Sequence, residues 1–171
     1  MKIGVFYASA GGVTTKVAEK LAEEFELEED DVIFMEDDYD DLDQLGEYDV
    51  LFIGSSTWGQ GDPHHEWVDP LMEINDDGDF EGKTVAFFGA GDSVKHGEHF
   101  CSALGKLHDA FVGKGAKAIG FVDAKGYTYE ASLAEKDGKL VGLAIDDLNE
   151  EDKTEGRIDA WVVQLKSELG V

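Results

Sequence analysis

Residues 2–25 read KIGVFYASAGGVTTKVAEKLAEEF, and a change of rhythm inside them decides the fold. Residues 2–9 form a near-continuous apolar run that ends in small residues, the pattern of a strand covered on both faces. From Thr14 onward the apolar positions Val17, Ala18, Leu21, Ala22 and Phe25 fall on one side of a helix instead of alternating. A buried strand that runs straight into an amphipathic helix is the opening of a βαβ unit.

Working outward, the same alternation continues to the end of the chain. Residues 32–35 and 50–55 read as a second and third strand, and residues 66–74 as a helix carrying Trp67, Leu71, Met72 and Ile74, started or kinked by Pro70. Residues 84–89 (TVAFFG) are a fourth strand, after which Phe100, Leu104, Leu107 and Phe111 repeat at helical spacing. A fifth strand is expected at 118–122. It is followed by a polar stretch, about 123–139, broken by Gly126 and Gly138, before the apolar pattern resumes at 140–145. The last helix carries Ile158, Trp161, Val162, Leu165 and Leu169 along one stripe. The reading is an α/β fold: a doubly wound five-stranded parallel sheet of order 2-1-3-4-5, helices on both faces, one domain over residues 1–171. In such a sheet ligands bind beyond the carboxyl ends of the strands, at the switch point beside strands 1 and 3, so the loops after strands 1, 3 and 4 are the places to search.

Charge narrows the partners. The 171 residues carry a net charge of −25, and residues 23–49 hold 15 acids and no Lys or Arg. That surface repels nucleic acid and anionic membranes and attracts basic protein faces over roughly 8–10 Å. An acidic solubility coat is the alternative cause. Cys101 is the only cysteine, which excludes an internal disulfide and a multi-thiolate metal site. Apolar stretches are too short to cross a bilayer, and the opening residues run into a strand rather than a leader, so a cytoplasmic location is expected.

The loop after strand 1 contains Ser9, Ala10, Gly11, Gly12, Val13, Thr14 and Thr15. Paired glycines gather backbone N–H groups, the hydroxyls add donors, and the helix start favours an anion such as a phosphate. A glycine-rich turn with a threonine cap fits the same spacing, and the Gly-Lys-Ser/Thr ending of a Walker loop is absent. After strand 3, Ser55, Ser56, Thr57, Trp58, Gly59, Gln60 and Gly61 place an indole among residues too small to cover it. It either stacks on a flat ring or folds back toward Trp67. After strand 4, Gly91, Asp92, Ser93, His96 and His99 lie together; two histidines three apart without a second ligand cluster argue against a metal.

These motifs, in this order, resemble the long-chain flavodoxin family over essentially the full length. The resemblance rests on KIGVFYAS-x-x-G-x-T, YDVLFIGSSTW-x-x-G, GKTVAFFGAGD, VGLAID and RIDAWVVQLKSELG. It implies a one-electron carrier with FMN held non-covalently, an insertion in strand 5 at about 123–139, and no catalytic residue. The residues from Ser9 to Thr15 would hold the phosphate through neutral donors. Ser56 and Thr57 would border the ribityl chain, with Trp58 on one face of the isoalloxazine. Gly59 would offer its carbonyl to flavin N5, with Gly61 adjoining. Asp92, His99 and Cys101 would border the pyrimidine edge, with Gly91 and Phe100 also in the cofactor site, and Asp146 would lie near the ribityl chain. The chain departs from the family pattern at Gly11, where a threonine hydroxyl is missing, and at His96, which replaces a stacking tyrosine with an ionisable ring. Expected partners are basic faces of redox proteins, such as a ferredoxin/flavodoxin-NADP reductase or other ferredoxin-dependent enzymes, met by a monomer. The competing readings are an FMN-dependent reductase with its own nucleotide site and a phosphoacceptor receiver domain; the latter needs an aspartate at the end of strand 3, where Ser-Ser-Thr-Trp stands.

Overall fold

A computed structural model describes residues 1–9 and 12–171. Strand β1 (Ile3–Ala8) leads into helix α1 (Val13–Glu24). A short β2 (Val32–Phe34) is followed by two brief helical turns, Met35–Asp38 and Leu42–Gly46, and by β3 (Val50–Ser55). Helix α2 (Val68–Asp77), β4 (Thr84–Ala90) and α3 (Ser102–Val112) come next. The edge then takes two segments, β5 (Lys117–Ile119) and β6 (Gly142–Ile145), and the chain closes with α4 (Glu151–Leu169).

All pairings in the main sheet are parallel. Strand β1 lies between β2 and β3, β3 pairs with β4, and β4 pairs with β5 along Thr84–Ala86 and with β6 along residues 87–90. The spatial order is therefore 2-1-3-4-5 with the fifth position shared by two segments, as the sequence implied. Pleating sends neighbours to opposite faces. Val5, Phe52, Phe88 and Leu143 pack under α1 and α4 with Leu21, Trp161 and Leu165. Phe6, Leu51, Ile53 and Phe87 pack under α2 and α3 with Trp67, Leu104, Leu107 and Phe111. Both faces are dry, which is why these strands lack polar alternation.

The fifth strand ends earlier than the apolar run suggested. Gly120 has φ +79, its carbonyl accepts a hydrogen bond from Trp161 Nε1 at 2.8 Å, and its N–H donates to Glu168 Oε2 at 2.8 Å. A Cβ there would meet the Trp161 ring at 3.1 Å. Helix α4 thus draws the backbone out of the sheet, and Val122–Asp123 pairs instead with Lys139–Leu140 in a small antiparallel sheet with Glu135–Lys136. Pro70 sits in the first turn of α2, where its missing N–H costs nothing, and the preceding residues form a 3₁₀ turn, His65–Trp67. No helix among the described residues is long and apolar enough to cross a membrane.

Candidate functional site

The carboxyl ends of β1, β3, β4 and β6 open into a cavity of about 560 Å³. From the first loop Ser9, Val13 and Thr14 line it; Gly12 and Thr15 do not. The expectations on Ala10 and Gly11 fall outside the described residues. From the second loop Ser56, Thr57, Trp58 and Gly59 line the cavity, and Gly61 stands behind it. The third loop contributes Ala90, Gly91, Asp92, Lys95, His96 and His99. Phe100, Cys101 and Asp146 are fully buried and lie outside the cavity wall.

Each wall is held by identifiable contacts. Trp58 is 48% exposed, yet its Nε1 donates to Ser56 Oγ at 2.9 Å, so the indole is presented to the cleft rather than folded onto Trp67. Trp67 instead is buried and donates to the Gly54 carbonyl at 3.0 Å. Thr57–Trp58 pairs antiparallel with Asp62–Pro63, giving a hairpin whose base is closed by the His64 N–H on Ser55 Oγ at 2.9 Å. Gly61, at φ +90, rests on helix α3: a Cβ there would meet Ser102 Cβ at 2.7 Å and His99 Cβ at 3.4 Å. Only glycine satisfies both the turn and that approach. Lys106 Nζ adds an ion pair to Asp62 at 2.6 Å.

The third wall is a carboxylate network. Asp92 Oδ1 accepts from the N–H groups of Val94 and Lys95 at 3.1 and 2.9 Å and from Asn149 Nδ2 at 2.8 Å. Burial works against its charge, but these donors and the neighbouring His96 outweigh it and hold the carboxyl below the usual range. Asp146 accepts from the Ser93 hydroxyl and N–H and from Asn149. Asn149 thereby ties the loop after β4 to the loop after β6. Burial pushes the Cys101 thiol up, which makes it inert as a nucleophile or ligand.

Two of the residues lining the cavity, Thr14 and Thr57, have buried hydroxyl oxygens with no hydrogen-bond partner among the described residues. Sequence reasoning missed Ala90, Lys95, Asp147 and Leu148 on the lining and Asn149 behind it. The signal existed for Asp147 and Leu148, which follow the last strand at the same carboxyl edge, but from that loop only Asp146 was named, on the family resemblance. Asn149 had no such signal, because its role depends on two carboxylates more than 50 residues apart (92 and 146).

A doubly wound parallel sheet with a mononucleotide-sized cleft at its switch point, walled by Ser9, Val13 and Thr14, a presented indole and a third loop without a metal cluster among the described residues, defines a nucleotide-cofactor protein of the mononucleotide-binding α/β class. The family model described as flavodoxin matches residues 5–161. Flavodoxin 1 of Azotobacter vinelandii is 52% identical over 169 residues, covering 98% of this chain and 97% of the relative. A flavodoxin of Nostoc sp. is 40% identical over 171 residues, covering 99% and 98%. Among solved structures, the Fusobacterium nucleatum flavodoxin bound to flavin mononucleotide superposes with a TM-score of 0.87 at 29% identity, covering 98% of this chain and 99% of that one. The chain belongs to the flavodoxin family.

Proposed function

We propose that this flavodoxin holds FMN non-covalently in the cleft and carries single electrons between redox proteins, without a substrate of its own. One observation carries the reading: Thr14 and Thr57 both line one cavity, and the Oγ1 of each is buried without a protein partner among the described residues. A buried hydroxyl left without a partner costs about 1–3 kcal/mol, so such pairs persist where a ligand supplies the bond. The residues fit FMN in kind: a neutral phosphate turn at the start of α1, hydroxyls at the end of β3, and an aromatic face. FMN, when bound, supplies the one-electron chemistry.

The chain's own groups do the rest. Ser9 and Thr14, at the positive end of α1, orient the phosphate without a cation. Trp58 covers one face of the ring, and His96 lines the same cavity from the third loop, where its imidazole provides a second flat surface. Gly59, at φ +51, presents a backbone carbonyl beside the indole. With a net charge of −25 the protein disfavours added negative charge in the cleft, which keeps the potential low. The acidic run at 23–49 is the docking surface for basic faces of partners such as a ferredoxin/flavodoxin-NADP reductase, and the protein acts as a cytoplasmic monomer of one domain.

The test is the visible spectrum and fluorescence of the purified chain titrated with FMN and then reduced stepwise. Quenching with tight uptake, and reduction in two separate one-electron steps, are expected. Absent uptake overturns the cofactor reading. Oxidation of NAD(P)H by the loaded protein alone would favour the reductase.

A further inference from the structure

The stretch of the insertion from Tyr129 to Leu133 is stitched to the back of the cavity's third wall. Glu130 and Ala131 both donate their N–H groups to the Gly97 carbonyl at 2.9 Å. Phe100 N–H donates to the Ala131 carbonyl at 3.2 Å, the Ser132 hydroxyl donates to the Phe100 carbonyl, and Leu133 N–H donates to Ser102 Oγ at 3.0 Å. The Tyr129 ring stacks on Phe100 with centroids 5.3 Å apart.

Between Phe100 and Ser102 stands Cys101, whose φ of +49 is a left-handed conformation that side chains other than glycine rarely adopt. Such a residue persists only where its surroundings over-determine it, and such residues concentrate at functional sites. Here the residues on both sides of it are bonded to the insertion. His99, just before this turn, lines the cavity. Ser102, just after it, is the surface against which Gly61 of the Trp58 hairpin closes. One external segment therefore reaches both walls of the cleft.

We infer that residues 129–133 are a positioning device for the bound flavin, with Ser132 as its positioning residue. The segment holds the left-handed turn at Cys101, and through that turn it sets the distance between the His99 wall and the Trp58 hairpin. This rests on the FMN reading above and adds to it a role for the insertion that contact with the ligand does not reveal.

The experiment is FMN fluorescence titration and potentiometry on the full chain carrying S132A, S132T, S102A, C101G and C101G/S132A. S132A and S102A are expected to weaken FMN binding about 3- to 10-fold, the scale of one neutral hydrogen bond, and to change the separation of the two one-electron potentials. S132T, which keeps the hydroxyl, is expected to retain wild-type values. In the C101G background, where glycine adopts the turn unaided, S132A is expected to change affinity by less than about twofold. If S132A lowers the melting temperature of the apoprotein while affinity and potentials stay unchanged, the segment is a structural cap and the inference fails. An S132A effect equally large with and without C101G refutes the role of the turn. Failure of the wild-type chain to take up FMN strikes the cofactor reading instead.

Discussion

Thr14 is 1% exposed and its hydroxyl is unpartnered among the described residues, so the apoprotein bears the desolvation cost of that oxygen. Thr14→Val removes the oxygen at nearly constant volume. Its expected signature is opposite in sign for the two states: FMN binding weakens by about 1 kcal/mol or more, while the apoprotein keeps or gains stability. Titration and thermal melts of the same variant check both, and a variant that destabilises the apoprotein contradicts the idea. His64 is the other informative residue. It is buried, its Nδ1 accepts from Glu66 N–H at 3.2 Å, and its ring meets Trp58 edge-on with centroids 5.8 Å apart. Burial and the neighbouring His65 lower its pKa, against the opposing pull of Glu66 and Glu36. The unfolded chain therefore binds this proton more readily than the folded one. Stability that is complete above about pH 6.5 falls as pH drops through that value toward the lowered folded pKa. Denaturant melts between about pH 7 and 5 should show a weaker slope in His64→Gln, whose amide oxygen stays an acceptor throughout.

At the scale of elements, the hairpin 57–63 is set by its contact with α3 as much as by its own turn. Gly61→Ala places a methyl 2.7 Å from Ser102 Cβ at a φ of +90, so the hairpin must lift off the helix. Overpacking of this kind costs about 1–3 kcal/mol, and the loss is expected in FMN affinity more than in the melting temperature, because the sheet beneath is untouched. An unchanged dissociation constant would show that the hairpin re-forms around the alanine. Most elements were legible in the sequence because their apolar rhythm is strong. Both β3 and the helices carrying Leu104 and Trp161 lie where periodicity places them. The exceptions have local causes. The run at 118–122 is apolar enough for a strand, yet Trp161 and Glu168, some 41 and 48 residues on, claim the backbone of Gly120 and end β5 at Ile119. Met35, read as the end of β2, starts a helical turn instead.

Over the whole molecule the charge is lopsided. Residues 1–82 hold 24 acids against three lysines, a net −21, which leaves −4 for residues 83–171. Self-repulsion on that scale predicts that the apoprotein's melting temperature rises with added salt, as exposed charges more than about 10 Å apart are screened near 0.1 M. If the proposed docking holds, the same screening is expected to slow electron transfer to a cationic partner. Stopped-flow rates that do not fall with ionic strength would remove the acidic half from the docking surface. The candidate site divides along similar lines. Ser9, Thr14, Thr57, Trp58 and His99 were legible because small, hydroxylated and aromatic residues follow directly on buried strands, and the chain's own order carries them to the carboxyl edge. Asn149 and Ser132 were not, since each acts by bonding segments far away in sequence. By itself the sequence determined the class of fold, the family and the edge of the sheet where the cavity opens, because apolar periodicity and short loops are local properties. Tertiary structure alone decided which hydroxyls of the cavity residues are buried without partners, where the fifth strand breaks and what braces the walls, because a hydrogen bond depends on which groups the folded chain brings within about 3 Å of each other, however far apart they lie in sequence.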